Sequence, residues 1–583
     1  MYTDEVNCQI VIALLKAHGI RKVIANPGAT NIAFVGSIQN DPWFEVYSGV
    51  DERHSAYLAC GMAAESGVPV VLSCTGATAS RNYIPALTEA FYRKLPVLAL
   101  TSSQVRSHIG QLHPQMIDRT VLQNDIAKIS VECPIVKDED DFALCEREVN
   151  RAILELTRKG GGPAHINMET TFSHCFAKNE LPIVRRIYRW TQDSETWPNI
   201  DDFNKIVVWI GSHQPFDDQT SCALEDFVKS RNAVVLKDGT SGYNGYGGIF
   251  SGLLCSQPIR DNKQYLSLKP DLIIHIGEVS GDYFTDNFLA GSAPVWRVNL
   301  DGEIRTRLGN LSHVFEMSEK TFFRHYSKDG KYDSEYYKTW QKFDADIRAM
   351  VPEVPFSNNY IAHELCTCLP KGSVLHMGIL SSLRSCGLVG FDRSINGYCN
   401  VGGFGIDGNM STLIGASLVH PDKLYFGIFG DLSFFYDLNA LGNRHIGKNL
   451  RIVLVNNGEG AEFSLYGSAG VQFKAHTADY IGAGGHFGRK SRSLVRDFAI
   501  SLGFTYLSAS DKVELSSALN QLVAGEADKS IVLECFVEMS DEKEACRLMS
   551  QIVKSSESSA LKHAVGKFLP HGMKNVLRSV ISP

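Results

Sequence analysis

Two apolar runs, each ended by a polar turn, constrain this chain more than any other feature. Leu424 to Phe429 stops at Gly430-Asp431, and Arg451 to Val455 stops at Asn456-Asn457-Gly458. Short apolar runs without alternation read as strands buried on both faces, as in parallel sheets covered by helices. Phe435 to Asn443, between them, is expected to form the crossover helix. Ligands of such sheets gather outside the carboxyl ends of the strands. Those two ends bring one carboxylate, Asp431, and one side-chain amide, Asn457. A hard divalent cation that keeps phosphate oxygens in its shell takes such a set, with carbonyls and water completing it. Nearby glycines let backbone N–H groups approach an anion. Alone, the stretch also fits a plain strand–turn–helix followed by an Asn-Gly turn.

The rest of the chain narrows the choice. At 583 residues it is too long for one core, and three to four domains are expected. A net charge of −7 gives no reason to expect nucleic acid or an acidic membrane as partner. No apolar run approaches bilayer-spanning length. Asp4 and Glu5 precede an amphipathic helical pattern (Val11, Leu14, Leu15), which does not read as a secretory signal. The 14 cysteines form no paired C-x-x-C framework, and Cys366-Thr367-Cys368 reads as buried thiols in a helix rather than a metal site. A reducing cytoplasm is expected.

Strand-like runs alternate with helical patterns, which predicts three doubly wound, parallel-sheet α/β domains. The first, 1–182, has strands at Lys22–Ala25, Pro69–Ser73, Pro96–Thr101 and Ala164–Asn167. Arg185 to Asn199 reads as a surface linker. The second, 200–330, has strands at Lys205–Gly211, Ala233–Leu236, Asp271–Gly277 and Val295–Asn299. Its glycine cluster, Gly242 to Gly248, does not match G-x-G-x-x-G, so no nicotinamide or flavin site is read from it. The polar stretch Lys328 to Lys342 leads out. The third, 355–554, adds strands at Ser373–Met377 and Ser530–Phe536 to the two opening runs. After a polar break at Ser555 to Ser559, the tail 555–583 carries a Leu561, Val565, Phe568, Leu569 stripe, read as a docked helix or a flap over the active site.

Three further stretches carry chemistry. Asp51-Glu52-Arg53-His54 follows the segment Phe44 to Val50, and a Glu at a helix start is often only a dipole-favoured surface carboxylate. Thr75-Gly76-Ala77-Thr78, with Asn82 and Pro85-Ala86-Leu87, suits a tight subunit contact or close ligand approach; helix capping by Thr78 or Ser80 is the plainer alternative. Asn400 to Gly408 is a glycine-rich loop with one large aliphatic residue, Ile406, near its end.

DERHSAYLACGMA, CTGATASRNYIPALTEA, GPAHINM, NVGGFGIDG, GDLSFFYDLNAL and VNNGEGAEFS occur in the order of the thiamine diphosphate-dependent decarboxylase and carboligase superfamily. Over about residues 5–553 the chain most resembles the menaquinone-pathway 2-succinyl-5-enolpyruvyl-6-hydroxy-3-cyclohexene-1-carboxylate synthases, and more widely acetolactate synthase-like enzymes. The resemblance implies a pyrimidine-binding, a central and a diphosphate-binding domain, with active sites between the first of one subunit and the third of another in a homodimer or homotetramer. It implies that Glu52 faces N1′ of the aminopyrimidine and favours the imino tautomer, whose exocyclic nitrogen takes the thiazolium C2 proton; burial would hold this carboxyl partly protonated. Ile406 would wedge the two cofactor rings into the bent form that brings that nitrogen to C2. Asp431, Asn457 and the backbone carbonyl of Glu459 would hold Mg²⁺. Gly430 and Ser433 would contact the diphosphate, with Gly403, Leu432, Gly460 and Ala461 completing the cofactor site. Gln115 would reach toward the substrate adduct and Arg384 toward a substrate carboxylate. The implied partners are a small 2-oxo acid donor and a carbonyl acceptor.

The chain departs from the synthase pattern where that pattern binds acids. Its Ser-Arg-Ser is here Ala29-Thr30-Asn31, its Asp-Arg-Pro is Ser103-Gln104-Val105, and an Arg of its glycine-rich loop is Val401. Losing a charged partner in a binding site costs roughly 2–5 kcal/mol. A pocket of Asn31, Gln104, His113, Gln115 and Val401 would be mostly neutral and polar, and such groups read hydroxyls and carbonyls. The expected activity is therefore a carboligase with a carbonyl-bearing, sugar-like acceptor in preference to isochorismate. A simple 2-oxo acid decarboxylase, the synthase itself with an unusual pocket, and a non-catalytic cofactor-binding subunit are the alternatives; intact Glu52, Asp431 and Asn457 speak against the last.

Overall fold

A computed structural model describes residues 1–119, 121–260, 262–328, 334–465, 467–487 and 490–553. The tail expected to be a helix or flap, with its Ser555 to Ser559 break, lies outside these residues. Two compact units are distinguished: Met1–Trp190 with Ser312–Val314, and Thr191–Leu311 with the described residues from Phe315 onward.

The first unit is built on six strands: Lys22–Ala25 (β1), Glu45–Ser48 (β2), Val70–Cys74 (β3), Val97–Ser103 (β4), Ser130–Cys133 (β5) and Ala164–Glu169 (β6). They stand in the order β2-β1-β3-β4-β6-β5, every pairing parallel. β3 and β4 are buried along their whole length. One face packs on helices Val6–Ala17, Ile32–Ile38 and Glu139–Glu155. The other packs on Glu52–Ser66 and Ile84–Arg93. Each fully buried Val, Leu or Ile there stabilises by about 1.5–3 kcal/mol of apolar transfer.

The second unit carries two further sheets. Tyr188–Thr191 (β7) spans the end of the first chain segment, at Trp190, and the start of the second. Ile206–Ile210 (β8), Ala233–Lys237 (β9), Gly248–Phe250 (β10), Leu272–Ile276 (β11) and Val295–Asn299 (β12) follow, in spatial order β10-β9-β8-β11-β12 with parallel pairing. After Leu311–Glu316 (β13) come Val374–Met377 (β14), Asn396–Tyr398 (β15), Tyr425–Gly430 (β16), Leu450–Asn456 (β17), Thr505–Ala509 (β18) and Ile531–Phe536 (β19). The last six form a parallel sheet in the order β15-β14-β16-β17-β19-β18. Its two faces pack on separate apolar clusters, one with Leu365, Leu383 and Leu519, the other with Leu413, Phe434 and Val495. The fold class is three parallel-sheet α/β layers, as the alternation of runs predicted.

Several local expectations are corrected. The crossover helix starts at once: Asp431–Tyr436 is α-helical and Leu438–Gly442 is a 3₁₀ turn, where Phe435 to Asn443 was expected. Asp437 ends the first helix because its carboxylate turns to the backbone N–H (2.6 Å) and hydroxyl (2.7 Å) of Ser411. Arg185 to Asn199 is no plain linker: it contains β7, and the Trp197 ring stacks on His325 at 3.9 Å. The polar stretch leading out of the second layer becomes a helix at Glu335–Ala349, burying Tyr336, Tyr337, Trp340 and Ile347. Cys366 is buried and Cys368 part-buried on the helix Asn358–Cys368.

Candidate active site

β16 and β17 are adjacent and in register, Gly430 opposite Val455, so Asp431 and Asn457 leave the same edge of the sheet. Asp431 is 4% exposed and Asn457 5%. The Asp431 carboxylate accepts the backbone N–H of Leu432 and of Gly458, both at 2.7 Å. Gly458 has φ +80°, the left-handed conformation that favours glycine, and that turn aims its N–H at Asp431. The Asn pair is oriented by two buried glutamates. Asn456 donates to Glu534 at 2.7 Å, and Asn457 donates its Nδ2 to Glu542 at 3.4 Å. Glu542 also accepts the backbone N–H of Asn358 through both oxygens at 3.2 Å. With its N–H₂ on a carboxylate, Asn457 is left with Oδ1 for other partners, and the Glu459 N–H reaches it at 3.4 Å. Burial pushes the Glu542 carboxyl up to about 7, with the nearby Asp431 charge adding to the rise. Sequence reasoning missed Glu542. Its only signal is that it shares the buried face of Met539–Met549 with Ala545 and Met549, a core position given to an acid.

The glycine-rich loop is fastened to this edge. Ser433 donates its hydroxyl to the carbonyl of Ile406 at 2.8 Å. Asn409, also missed from sequence, donates Nδ2 to that carbonyl at 2.9 Å and to Ser433 Oγ at 3.0 Å. Ile406 is half-buried against the core. A Cβ on Gly402, Gly403 or Gly430 would meet nothing, so this side of the loop and strand end is open. Gly460 is held by the Gly482 carbonyl at 2.6 Å and lies so near Leu432 that a Cβ would come within 3.2 Å of it; Ala461 beside it is buried. Asp431, Asn457, Glu459, Ser433, Ile406, Gly430, Leu432, Gly460 and Ala461 are thus gathered at one end of one sheet, and Gly403 is on the loop fastened there through Ile406.

A diphosphate-bound hard cation fits this set. It offers one buried carboxylate and one oriented amide oxygen beside glycines whose missing side chains leave room. Among the described residues no three or more His, Cys, Asp or Glu side chains make a protein-only metal cage. A cation held here would draw part of its shell from phosphate and water.

Glu52, Gln115, Asn31, Gln104 and His113 belong to the first unit. Glu52 is the first residue of its helix because Asp51 caps it, accepting the His54 N–H at 3.0 Å, and Gly67 ends it with φ +67°. A buried chain of bonds fixes that helix start. Tyr83 donates to Asn26 Oδ1 at 2.7 Å, and Asn26 donates to the Gly49 carbonyl at 2.7 Å and to Ser55 Oγ at 2.9 Å. A Cβ on Gly49 would lie 1.9 Å from Ser55 Oγ, so only glycine fits this approach. Its own chain covers Glu52 only partly, less than its sequence-expected role would ask. Gln115 is exposed with φ +63°. Neither Thr78 nor Ser80 caps the next helix: Ala77 holds the N-cap position at φ +55°, and Ser80 donates to the Ala77 carbonyl at 2.7 Å.

Two residues of the neutral pocket expected from sequence, Asn31 and Val401, are interior side chains, and so is Thr30 beside them. Thr30 and Asn31 are buried, Thr30 donating to the Ser102 carbonyl at 3.0 Å and Asn31 to the Asn26 carbonyl at 2.9 Å. Val401 is buried in an apolar cluster with Leu383. Arg384, expected to take a substrate carboxylate, is paired with Glu462: its Nη1 lies 2.6 and 2.7 Å from the two carboxylate oxygens.

Comparison with known proteins places the chain among thiamine diphosphate enzymes. Residues 8–123 match the family described as "Thiamine pyrophosphate enzyme, N-terminal TPP binding domain". A 2-succinyl-5-enolpyruvyl-6-hydroxy-3-cyclohexene-1-carboxylate synthase of Bacteroides thetaiotaomicron is 30% identical over 562 residues, covering 92% of this chain and 96% of its own. The synthase of Phocaeicola vulgatus is 30% identical over 553 residues, with 92% and 96% covered. That of Flavobacterium johnsoniae is 29% identical over 475 residues, with 78% and 84% covered.

Proposed function

Because the chain belongs to the thiamine diphosphate-dependent family of the 2-succinyl-5-enolpyruvyl-6-hydroxy-3-cyclohexene-1-carboxylate synthases, we propose that it is a Mg²⁺-assisted carboligase. It removes CO₂ from a 2-oxo acid and joins the remaining acyl unit to an acceptor. The observation that carries this reading is the gathering of Asp431, Asn457, Ser433 and the Ile406 loop at the open end of β16 and β17. Thiamine diphosphate, when bound, supplies the electron sink that makes the decarboxylated carbon a nucleophile. Asp431, Asn457 and the Glu459 carbonyl would hold the cation, while Ser433 and the glycines would border the diphosphate. Ile406 would back the cofactor rings, and Glu52 would act on the aminopyrimidine N1′. Glu52 and Asp431 serve the same cofactor from different subunits, so the active form is at least a dimer. Buried free thiols such as Cys8, Cys74 and Cys535 suit a reducing cytoplasm, and among the described residues no helix is long and apolar enough to cross a membrane.

The relatives favour their own reaction over the sugar-like acceptor expected from sequence. Their product's 2-succinyl group is what 2-oxoglutarate leaves after losing CO₂, and its cyclohexene carboxylate bearing an enolpyruvyl group is the frame of isochorismate. Steady-state assay with 2-oxoglutarate, isochorismate, thiamine diphosphate and Mg²⁺ tests this assignment. Acceptor-dependent formation of the synthase product supports it. One observation keeps a second reading, a carboligase with a neutral carbonyl acceptor: Arg384 is already occupied by Glu462. Product formation only with pyruvate and a polyhydroxylated aldehyde or ketone would favour that reading, and CO₂ release indifferent to any acceptor would reduce the protein to a decarboxylase.

A further inference from the structure

Arg384 lies on the helix Ser381–Val389, which follows β14, the neighbour of β16 in the sheet. Its guanidinium is buried and stands 5.3 Å from the Tyr283 ring centre. Tyr283 in turn stacks on Phe404 of the glycine-rich loop at 5.7 Å. Glu462 is in the short 3₁₀ turn Ala461–Ser464, on the loop that leaves Asn457 and packs Gly460 against Leu432. The Arg384–Glu462 pair therefore sits within the constellation that holds Asp431, Asn457 and Ile406. The other cation over Tyr283 is also matched within the chain: Arg307, 4.4 Å from the ring centre, pairs with Asp286 at 3.4 Å.

We infer that Glu462 is a specificity-determining residue: it is a built-in carboxylate that occupies Arg384, and an acidic substrate must displace it to use that cation. The argument is one of competition. Glu462 is covalently tethered a few residues from Asn457, so its effective concentration at Arg384 does not fall when substrate is dilute. A substrate carboxylate gains the guanidinium only by leaving Glu462 without its partner in a half-covered site. A donor with a neutral tail, such as pyruvate, avoids that exchange; 2-oxoglutarate with its second carboxylate meets it in full. This inference rests on the carboligase reading for its kinetic test and stands apart from it for its binding test.

The experiment compares wild type, Glu462→Gln and Glu462→Asp, each loaded with thiamine diphosphate and Mg²⁺. Calorimetry with succinate, an unreactive dicarboxylate probe, should show affinity rising about tenfold or more in Glu462→Gln and staying near wild type in Glu462→Asp, which keeps the charge. The double variant Glu462→Gln/Arg384→Met should lose the gain. In turnover, kcat/KM for 2-oxoglutarate relative to pyruvate should rise by a similar factor in Glu462→Gln, through KM. Equal succinate affinity in wild type and Glu462→Gln overturns the inference, as does a gain that survives removal of Arg384 or appears equally in Glu462→Asp. If wild type turns over neither donor while the succinate shift is present, the proposed carboligase reading fails and this one stands.

Discussion

Asp431 is the one carboxylate among the proposed cation ligands. It is buried with two backbone N–H partners and lies at the strand end where the cofactor's phosphates are proposed to bind. In the proposed binding through a metal its charge is indispensable, because an anionic diphosphate and an anionic carboxylate meet favourably only with a cation between them. Asp431→Ala should therefore abolish calorimetric binding of thiamine diphosphate in the presence of Mg²⁺, and EDTA should do the same to wild type. Unchanged, EDTA-resistant affinity in the variant would remove the metal from the account. The placement of Asp431 and Asn457 at two adjacent strand ends was legible in the sequence because Gly-Asp and Asn-Asn-Gly interrupt uniform apolar runs. Glu542, Asn409 and Glu462 were not. Each acts through a fold contact with a residue distant in sequence, at separations of 85, 24 and 78 residues, and local pattern carries no trace of such pairs.

At the scale of elements, the strands recognised from sequence are those buried on both faces, such as β3, β4, β8, β16 and β17. Those missed were the edge or next-to-edge strands. β2 exposes most of its residues, β5 alternates, and β10 and β15 have three residues each, too few to show a period. The crossover after β16 was misplaced because its first turn, Asp-Leu-Ser-Phe, reads as loop until Gly430 is seen to act as its N-cap. β6 gives a prediction at this scale. His165 in β6 shares its ring nitrogens with Thr101 Oγ1 of β4 and Ser130 Oγ of β5, both at 2.7 Å, and burial lowers it from 6.5 to about 3. A base whose folded pKa is depressed supports the fold fully above its unfolded pKa. That support is lost as pH falls from 6.5 toward 3, because the unfolded chain takes up a proton the folded one refuses. Between pH 7.5 and 5, wild type should lose roughly 2 kcal/mol more stability than His165→Gln in matched urea titrations. Parallel pH dependence of the two proteins would show that His165 does not titrate as its burial requires.

At the scale of the whole molecule, Glu52 and Asp431 fall in different compact units, and the proposed assembly joins them across subunits. Glu52→Gln chains and Asp431→Ala chains, each inactive alone, should regain part of the activity when mixed under conditions that let subunits exchange. Full activity from a monomer in sedimentation at assay concentration would contradict the shared site. Of the side chains expected to set donor and acceptor chemistry, Asn31 and Val401 are interior and Arg384 is paired with Glu462. The central claim, that this chain is a thiamine diphosphate enzyme activated by Glu52, does not depend on those residues. Hydrogen–deuterium exchange at C2 of bound thiamine diphosphate tests it without any substrate. Wild type should accelerate exchange strongly, and Glu52→Gln should bind the cofactor yet exchange about 10²–10⁴-fold more slowly, the scale of general acid–base assistance. Exchange at the wild-type rate in Glu52→Gln, or no acceleration by wild type over free cofactor, would contradict it.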